Sequence, residues 1–375
     1  MVESEFIPIS QPFIDEKAKR YVSECLDTGW ISSQGAYVTQ FEQAFAKYIG
    51  VNYAVSVTSG TAALHLALLA MGVSAGDEVI VPDLTFAATA NAVLLCGATP
   101  VLCSVDKATW TLDIDDCAQL ISRATKAIIP VHLYGNPADM RALVTLSKEH
   151  NIVLVEDCAE SLGATVDGHH TGTFGDIGCF SFFANKLLST GEGGMLTTNS
   201  EHIAKKIRVL RDHGMSPTKK YWHEHAGLNY RMTNIQAAIG VTQLDRLDEF
   251  ILARRDQELQ YRSRLQGISD IVFKQELPGA ISVNWLFSFC FLSDDNGEKV
   301  EALRAWLREN HVDSRPFFFP LHEQPPYKDE RFVLSQTKLL SNSGMSLPTF
   351  IGLKESQIDR VCDLVVEFMH TYRED

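Results

Sequence analysis

Several sequence signatures of common protein classes are missing from these 375 residues. The motifs G-x-G-x-x-G, G-x-x-x-x-G-K and G-x-S-x-G do not occur, which excludes the usual dinucleotide, P-loop and hydrolase signatures. None of the eight cysteines shows C-x-x-C spacing, and no group of His, Asp and Glu has metal-ligand spacing. We therefore expect no metal site. The cysteines, mostly in apolar segments, indicate free thiols in a reducing compartment.

Positive charge is also scarce. Lys and Arg total 33 against 47 Asp and Glu, a net charge of −14, which disfavours non-specific nucleic-acid binding. Two long uncharged stretches, 53–76 and 84–105, contain glycine and divide better into strand plus helix than into one membrane-spanning helix. The acidic start of the chain, residues 1–5, does not have the composition of a signal peptide. The sequence thus predicts a cytoplasmic protein without a nucleic-acid or membrane partner.

Strand-like and helix-like segments alternate from about residue 36 to residue 215. This rhythm predicts a mainly parallel sheet with helices on both faces, and strands that are apolar throughout fit such double burial. Strands are predicted at 53–58, 78–82, 100–105, 126–133 and 152–156, and helices at 61–71, 87–95, 114–123 and 139–150.

The pattern changes towards the C-terminus. Residues 212–229 lack periodicity, but their aromatic residues argue against disorder. The length and this change predict a large α/β domain at 1–250 and a smaller α+β domain at 251–375, with the N-terminal segment packing against the smaller one. Helices are predicted at 201–211, 234–265, 299–309 and 357–371, and a strand at 282–292.

Lys186 ends the apolar run CFSFFANK at 179–186, and a glycine-rich turn follows at 189–194. Apolar surroundings disfavour the ammonium form of a lysine, so that its free amine can attack a carbonyl carbon. A surface lysine just past a buried strand would give the same local pattern, since most lysines are exposed. Lys186 alone therefore suggests nucleophilic chemistry without establishing it.

Five other positions suggest a bound cofactor with a phosphate and a flat ring. Gly60 and Thr61 open a helix, whose N-terminus attracts a phosphate, although a plain N-cap explains the same residues. Asp157 ends a predicted strand and could pair with a ring nitrogen or merely cap a turn. Phe86 could stack on a ring or belong to the core. Ser181, five residues before the lysine, could reach a phosphate.

These motifs, taken in order, resemble the DegT/DnrJ/EryC1/StrS family of sugar aminotransferases. The family uses pyridoxal 5'-phosphate and has the fold-type I, aspartate aminotransferase-like architecture. The resemblance covers nearly the whole chain; one departure is Ala184, where relatives commonly carry glycine. The matching segments are SGTAAL at 59–64, GDEVIVP at 76–82, VHLYG at 131–135, EDCAE at 156–160, FSFFANK at 180–186, NYRMTNIQAA at 229–238 and SRP at 314–316.

The resemblance implies how four residues would hold the cofactor ring. Lys186 would join the cofactor and later move a proton. Asp157 would pair with the pyridine nitrogen. Phe86 would stack on the ring, and Glu160 would approach its hydroxyl group.

The resemblance also implies a phosphate site made of Gly60, Thr61 and Ser181, completed by the partner subunit's Asn229. Such sharing implies a homodimer in which both chains contribute to each active site. Four weaker candidates for substrate contacts follow in the same way: Trp30, Arg231, His322 and Tyr327.

The activity implied by the resemblance is amino transfer from L-glutamate to the 4-keto carbon of a nucleotide-linked 4-keto-6-deoxy sugar, with the cofactor passing through pyridoxamine 5'-phosphate. Three segments, 29–33, 221–222 and 319–322, favour GDP-4-keto-6-deoxy-D-mannose as the acceptor. Alternatives are a dTDP- or UDP-linked keto sugar aminated at C3 or C4, a dehydratase of the same fold, and a non-catalytic regulator. Dehydratases of this fold carry histidine where Lys186 stands, which argues against that alternative.

Overall fold

A computed structural model describes residues 5–328 and 334–372 of the chain. Residues 1–4 lie outside the described part. They include most of the acidic segment 1–5, which does not have the composition of a signal peptide. Among the described residues, no helix is both long enough and apolar enough to cross a membrane.

Strands and α-helices alternate from residue 53 to residue 157. The helices are α1 (Glu16–Thr28), α2 (Ala36–Ile49), α3 (Gly60–Ala70), α4 (Ala88–Leu95), α5 (Ile114–Leu120), α6 (Met140–His150), α7 (Glu201–Arg211), α8 (Asn234–Leu244), α9 (Leu247–Leu265), α10 (Glu298–Glu309), α11 (Ser335–Ser343) and α12 (Glu355–Thr371). The strands are β1 (Tyr53–Val57), β2 (Glu78–Pro82), β3 (Thr99–Cys103), β4 (Thr125–Ile128), β5 (Val153–Asp157), β6 (Thr165–Val166), β7 (His169–His170), β8 (Ile177–Ser181), β9 (Gly194–Thr198), β10 (Ile271–Val272), β11 (Ala280–Ile281), β12 (Phe287–Phe291), β13 (Arg315–Pro316) and β14 (Gly344–Leu347).

The largest described sheet has seven strands in the order β1-β9-β8-β5-β4-β2-β3. Neighbours are parallel from β8 to β3, whereas β9 is antiparallel to both β1 and β8. Strand β2 shows that both faces are covered, because Val79 and Val81 belong to one buried cluster and Ile80 to another. Alternate residues of a strand point to opposite faces, so an apolar strand requires helices on both sides. The predicted α/β class and mainly parallel sheet are confirmed.

A second sheet, β10-β12-β14-β13, packs with α9, α10 and α12 around its own buried cluster. Ile7 is part of this cluster, and its backbone pairs with His311 and Asp313 through bonds of 2.9 Å each. Helix α9 runs through residue 250, where the sequence places the domain boundary. The division into 1–250 and 251–375 stays a prediction.

Three predicted elements are wrong in extent. The strand expected at 126–133 ends at Ile128, the last residue of β4. The single helix 234–265 is two helices, α8 and α9, that separate at Asp245 and Arg246 because Arg246 leaves helical geometry with ψ near 8°. The strand expected at 282–292 is formed only by β12, because Asn284 adopts the left-handed region with φ of 54° and ends the extended run.

Candidate active site

A cavity of about 490 Å³ opens at the carboxyl ends of β5 and β8, where α3 also begins. Ligands of open α/β sheets bind beyond the carboxyl ends of the strands, so this is the expected position for a site. Seven of the residues selected from the sequence line this cavity: Gly60, Thr61, Phe86, Asp157, Glu160, Ser181 and Lys186.

The N-terminus of α3 forms one end of the cavity. Ser59 is the N-cap, and its hydroxyl oxygen accepts a hydrogen bond from the Ala62 backbone N–H at 3.1 Å. Gly60 lies so close to the end of β8 that a Cβ there would be 2.8 Å from the Cβ of Ser181. Because the first backbone N–H groups of a helix and its dipole attract anions, this narrow corner suits a phosphate.

Asp157, the last residue of β5, is buried beneath the cavity with 4% of its surface exposed. Its carboxylate accepts hydrogen bonds from the Thr89 hydroxyl at 2.8 Å and from the Ala159 backbone N–H at 3.1 Å. Burial raises the pKa of Asp157, and the two hydrogen bonds and nearby Lys186 partly oppose this. The carboxylate therefore has capacity for another donor on its cavity side.

Lys186 follows β8 in a turn closed by its backbone N–H, which donates to the Phe183 carbonyl at 2.9 Å. Its side chain is 13% exposed, and its Nζ lies 3.6 Å from a carboxylate oxygen of Glu160. Burial lowers the pKa of Lys186, while Glu160 and Asp157 raise it in part. A lowered pKa leaves more of the amine unprotonated and nucleophilic near neutral pH.

Glu160 faces the same amine from the turn that follows β5. It is buried, and one carboxylate oxygen accepts a hydrogen bond from the Tyr134 backbone N–H at 2.8 Å. Burial raises the pKa of Glu160, and the charge of Lys186 opposes this. Lys186, Glu160 and Asp157 thus form a cluster of titratable side chains in the cavity.

Two aromatic residues, Phe86 and Phe318, also line the cavity. Phe86 is 60% exposed, so its face is available to a ligand, and its ring centroid lies 5.8 Å from that of Phe318. The exposure excludes the alternative that Phe86 is a core residue. Its stacking on a cofactor ring stays a prediction.

The remaining five candidates do not line the cavity of the single chain. Asn229 and Trp30 are exposed, and Arg231 pairs with Asp212. His322 donates from its backbone N–H and bonds through its ring to Asp83, at 2.8 and 2.7 Å. The Tyr327 hydroxyl donates to Asn91 at 2.6 Å. Their proposed contacts with substrate or with the partner subunit's cofactor stay predictions.

Among the lining residues that sequence reasoning did not select are Thr89, Trp285 and Arg315. Thr89 lies one helical turn after Phe86, a spacing that could have suggested a shared face. Arg315 lies in a segment used only to identify the family. Trp285 had no local signal, because the surrounding run was interpreted as a plain strand.

The sequence matches known proteins over nearly its full length. The model of the DegT/DnrJ/EryC1/StrS aminotransferase family matches residues 12–366. GDP-perosamine synthase of Caulobacter vibrioides is 45% identical over 95% of this chain and 96% of its own length. GDP-perosamine synthase of Vibrio cholerae is 40% identical over 97% of this chain and 99% of its own.

Solved structures agree with these matches. The aminotransferase TlmJ from Streptoalloteichus hindustanus superposes with a TM-score of 0.92 at 32% identity, covering 97% of this chain and 99% of its own. Spr1654 from Streptococcus pneumoniae, solved in a PLP form, gives a TM-score of 0.90 at 29% identity, covering 96% and 97%. The fold is therefore the fold-type I architecture expected from the sequence, and the chain belongs to the DegT/DnrJ/EryC1/StrS aminotransferase family.

Proposed function

We propose that this enzyme transfers the amino group of L-glutamate to the 4-keto carbon of GDP-4-keto-6-deoxy-D-mannose, giving GDP-perosamine, with pyridoxal 5'-phosphate as its cofactor. The buried amine of Lys186, 3.6 Å from Glu160, is the observation that carries the proposal. The acceptor rests on the names of the relatives at 40–45% identity.

The residues of the cavity fit this cofactor. The corner at Gly60 and Ser181 admits no extra side-chain atom and lies at a helix N-terminus, as a phosphate site requires. Asp157 has a free acceptor position for a protonated ring nitrogen. Lys186 supplies an amine with a lowered pKa at the cavity floor. The proposed contacts to the phosphate, the ring nitrogen and the aldehyde would thus come from α3, from β5 and from the turn after β8.

When bound, the cofactor supplies an electron-withdrawing ring that stabilises negative charge on the carbon losing its proton. The ionised Asp157 would maintain the positive charge of the ring nitrogen. The Lys186 amine would take a proton from the amino donor and return it to the product, a role that a lysine fills best when its pKa lies near the working pH. Glu160 would hold that amine in place between the two half-reactions.

We also propose a homodimer in which the partner subunit's Asn229 contacts the cofactor phosphate. Asn229 is exposed and lies outside the cavity of its own chain, which supports this arrangement. Mixing a Lys186→Ala chain with an Asn229→Ala chain tests it. With shared sites, one of the two sites in a mixed dimer has both residues intact, so that dimer should regain about half of wild-type activity, whereas separate sites would regain none.

The reducing environment suggested by the cysteines points to the cytoplasm as the place of reaction. All eight cysteines are free, and seven of them are buried. Buried thiols of this kind behave as small apolar side chains and need no oxidising compartment.

Mass spectrometry of the nucleotide product tests the proposed reaction. The purified protein is incubated with pyridoxal 5'-phosphate, L-glutamate and GDP-4-keto-6-deoxy-D-mannose, with Lys186→Ala as the matched control. We expect a GDP-amino sugar from the wild type and none from the variant. The dTDP- and UDP-linked keto sugars, including 3-keto isomers, are run in parallel to identify any other acceptor.

The cofactor absorbance separates two kinds of failure. A glutamate-dependent spectral change without any product from the GDP sugar would retain the aminotransferase and reject this acceptor. No spectral change and no product would reject amino transfer itself. A Lys186→Ala protein that kept full biological activity would favour the non-catalytic regulator.

A further inference from the structure

Trp285 forms one wall of the cavity and lies against the amine of Lys186. The Nζ atom is 3.9 Å from the centroid of the Trp285 ring, well inside the roughly 6 Å range of a cation–π contact. The Glu160 carboxylate lies 3.6 Å from the same Nζ. The amine therefore contacts an aromatic face and a carboxylate at once.

The same indole ring also holds the peptide that precedes the lysine. Its Nε1–H donates a hydrogen bond of 2.8 Å to the carbonyl oxygen of Asn185. The Ser10 hydroxyl donates to this oxygen as well, at 3.4 Å. Trp285 thus fixes both the backbone from which the lysine extends and the position of its terminal amine.

Contacts from separate parts of the chain determine where Trp285 lies. Its carbonyl oxygen accepts a hydrogen bond of 3.0 Å from Arg254, a buried arginine of α9. The ring of Tyr134 is nearly parallel to the indole, at 9° and 6.2 Å between centroids. Gly135 approaches the Trp285 backbone so closely that a Cβ would lie 3.0 Å from its nitrogen. Such a restrained ring can hold a flexible lysine.

We propose that Trp285 is a positioning residue that receives the Lys186 ammonium group during the part of the cycle in which this amine is not joined to the cofactor. Glu160 contacts the ammonium group at the same time. The inference rests on the proposed function, because only in that reaction does Lys186 alternate between a joined and a free amine. The indole face then keeps the free amine beside the substrate carbon and away from bulk water.

The electrostatics of the cavity support this assignment. Burial lowers the pKa of Lys186, and the negative charges of Glu160 and Asp157 work in the opposite direction. The electron-rich face of the indole also favours the charged amine over the neutral one. The other titratable side chains lining the same cavity are Tyr134, Glu192 and Arg315.

Reductive methylation of the free amine tests the proposal without requiring activity. The full-length protein is freed of cofactor, and a second sample is loaded with pyridoxamine 5'-phosphate. Both are treated with formaldehyde and cyanoborohydride across a pH series. Peptide mass spectrometry measures methylation of Lys186 relative to exposed Lys148, which gives the pH midpoint at which the amine becomes reactive.

Three variants are compared with the wild type in this experiment. We expect Trp285→Leu to lower the Lys186 midpoint by about 0.5–1 pH unit, since a cation–π contact of this kind is lost. Trp285→Phe keeps a weaker aromatic face and should shift it by less. Trp306→Leu removes a tryptophan whose N–H bonds to Leu364 in the second sheet's helices, and it should leave the midpoint unchanged.

An unchanged midpoint in folded Trp285→Leu would overturn the proposal and leave Trp285 as packing only. An equal shift in the Phe and Leu variants would also overturn it, because the Nε1–H bond rather than the ring face would then be responsible. If the Leu variant does not fold, Trp285→Met replaces it as the variant without an aromatic face, and its midpoint is compared with that of Trp285→Phe in the same way. Methylation is independent of substrate, so failure of the proposed amino transfer would be detected separately by the absent product.

Discussion

Neighbouring carboxylates on the two faces of β5 have opposite environments. Glu156 is fully buried, and its two oxygens accept backbone N–H bonds from Gly172, Phe174 and Gly175, at 2.7–2.8 Å, and a bond from His132 at 3.2 Å. Asp157 accepts two bonds and faces the cavity. A carboxylate whose acceptor positions are filled by the fold is structural, whereas one with an unused position beside a cavity is available for chemistry.

The same comparison decides how to interpret the group formed by His132, Glu156 and Cys158. Their potential ligand atoms lie within 4.8 Å of one another, as they would around a metal ion. However, His132 accepts the Ala138 N–H at Nδ1, so its other ring nitrogen carries hydrogen and donates to Glu156. The ligand positions of Glu156 and His132 are already used within the protein, and the group anchors β5 to the loop before β8.

The substitution Asp157→Asn is the strongest test of the difference between Asp157 and Glu156. The amide keeps the size of the side chain but loses the negative charge that we propose to pair with the ring nitrogen. We expect the glutamate half-reaction to slow about 10²–10³-fold, the usual cost of one electrostatic partner in an active site. Stopped-flow absorbance of the bound cofactor measures this rate. A loss of only a few-fold would show that Asp157 is not the electrostatic partner.

Glu156→Gln should instead reduce stability. The new NH₂ group would face backbone donors, so at least one buried N–H would lose its acceptor, at a cost of about 2–3 kcal/mol in the free energy of unfolding. Urea denaturation of the cofactor-free protein measures the change. Activity per folded molecule should stay within a few-fold of wild type; a drop as large as that of Asp157→Asn would contradict the assignment of Glu156 to structure.

Thr89→Val tests the partner that orients Asp157. The substitution removes the hydroxyl donor to the carboxylate and should lower activity by about tenfold, corresponding to one buried hydrogen bond of roughly 1.5 kcal/mol. That bond also lowers the pKa of Asp157, so its loss should move the acidic side of the pH–rate profile to higher pH. Thr89→Ser is the control and should restore both properties; equal effects of Ser and Val would exclude the hydrogen bond as the cause.

The smallest expected effect is on the pH dependence of the free energy of unfolding. Because burial raises the pKa of Asp157 above its usual 3.8, the folded state binds a proton more readily than the unfolded state above that pH. Stability of the cofactor-free protein should therefore gain a contribution as pH falls from the raised pKa towards 3.8. Asp157→Asn lacks this contribution, which amounts to at most about 1.4 kcal/mol for each pH unit that separates the folded and unfolded pKa values. Parallel curves of melting temperature against pH for the two proteins would contradict it.

The fold was largely predictable because its strands are apolar on both faces and its polar site residues interrupt them at their ends. Lys186 and Asp157 were found by that interruption. The antiparallel insertion of β9 was not predicted, since strand order depends on pairing between residues far apart in sequence. The break between α8 and α9 was missed for the opposite reason: helical periodicity continues across Asp245 and Arg246 although the backbone turns.

Thr89 and Trp285 were missed because their contacts at the site join residues that are far apart in the sequence. Thr89 meets Asp157 across 68 positions, and Trp285 meets the Asn185 carbonyl across 100. Thr89 lines the cavity because α4 carries it there, and Trp285 lines it because it lies in the loop before β12.

The contact between Gly60 and Ser181 has a consequence for how this enzyme could diversify. A Cβ at position 60 would lie 2.8 Å from the Cβ of Ser181, so no residue larger than glycine fits there unless α3 moves away from β8, the strand that leads to Lys186. We therefore expect position 60 to stay glycine when this enzyme diversifies. Changes of acceptor sugar would instead have to arise from other lining residues, such as Phe318.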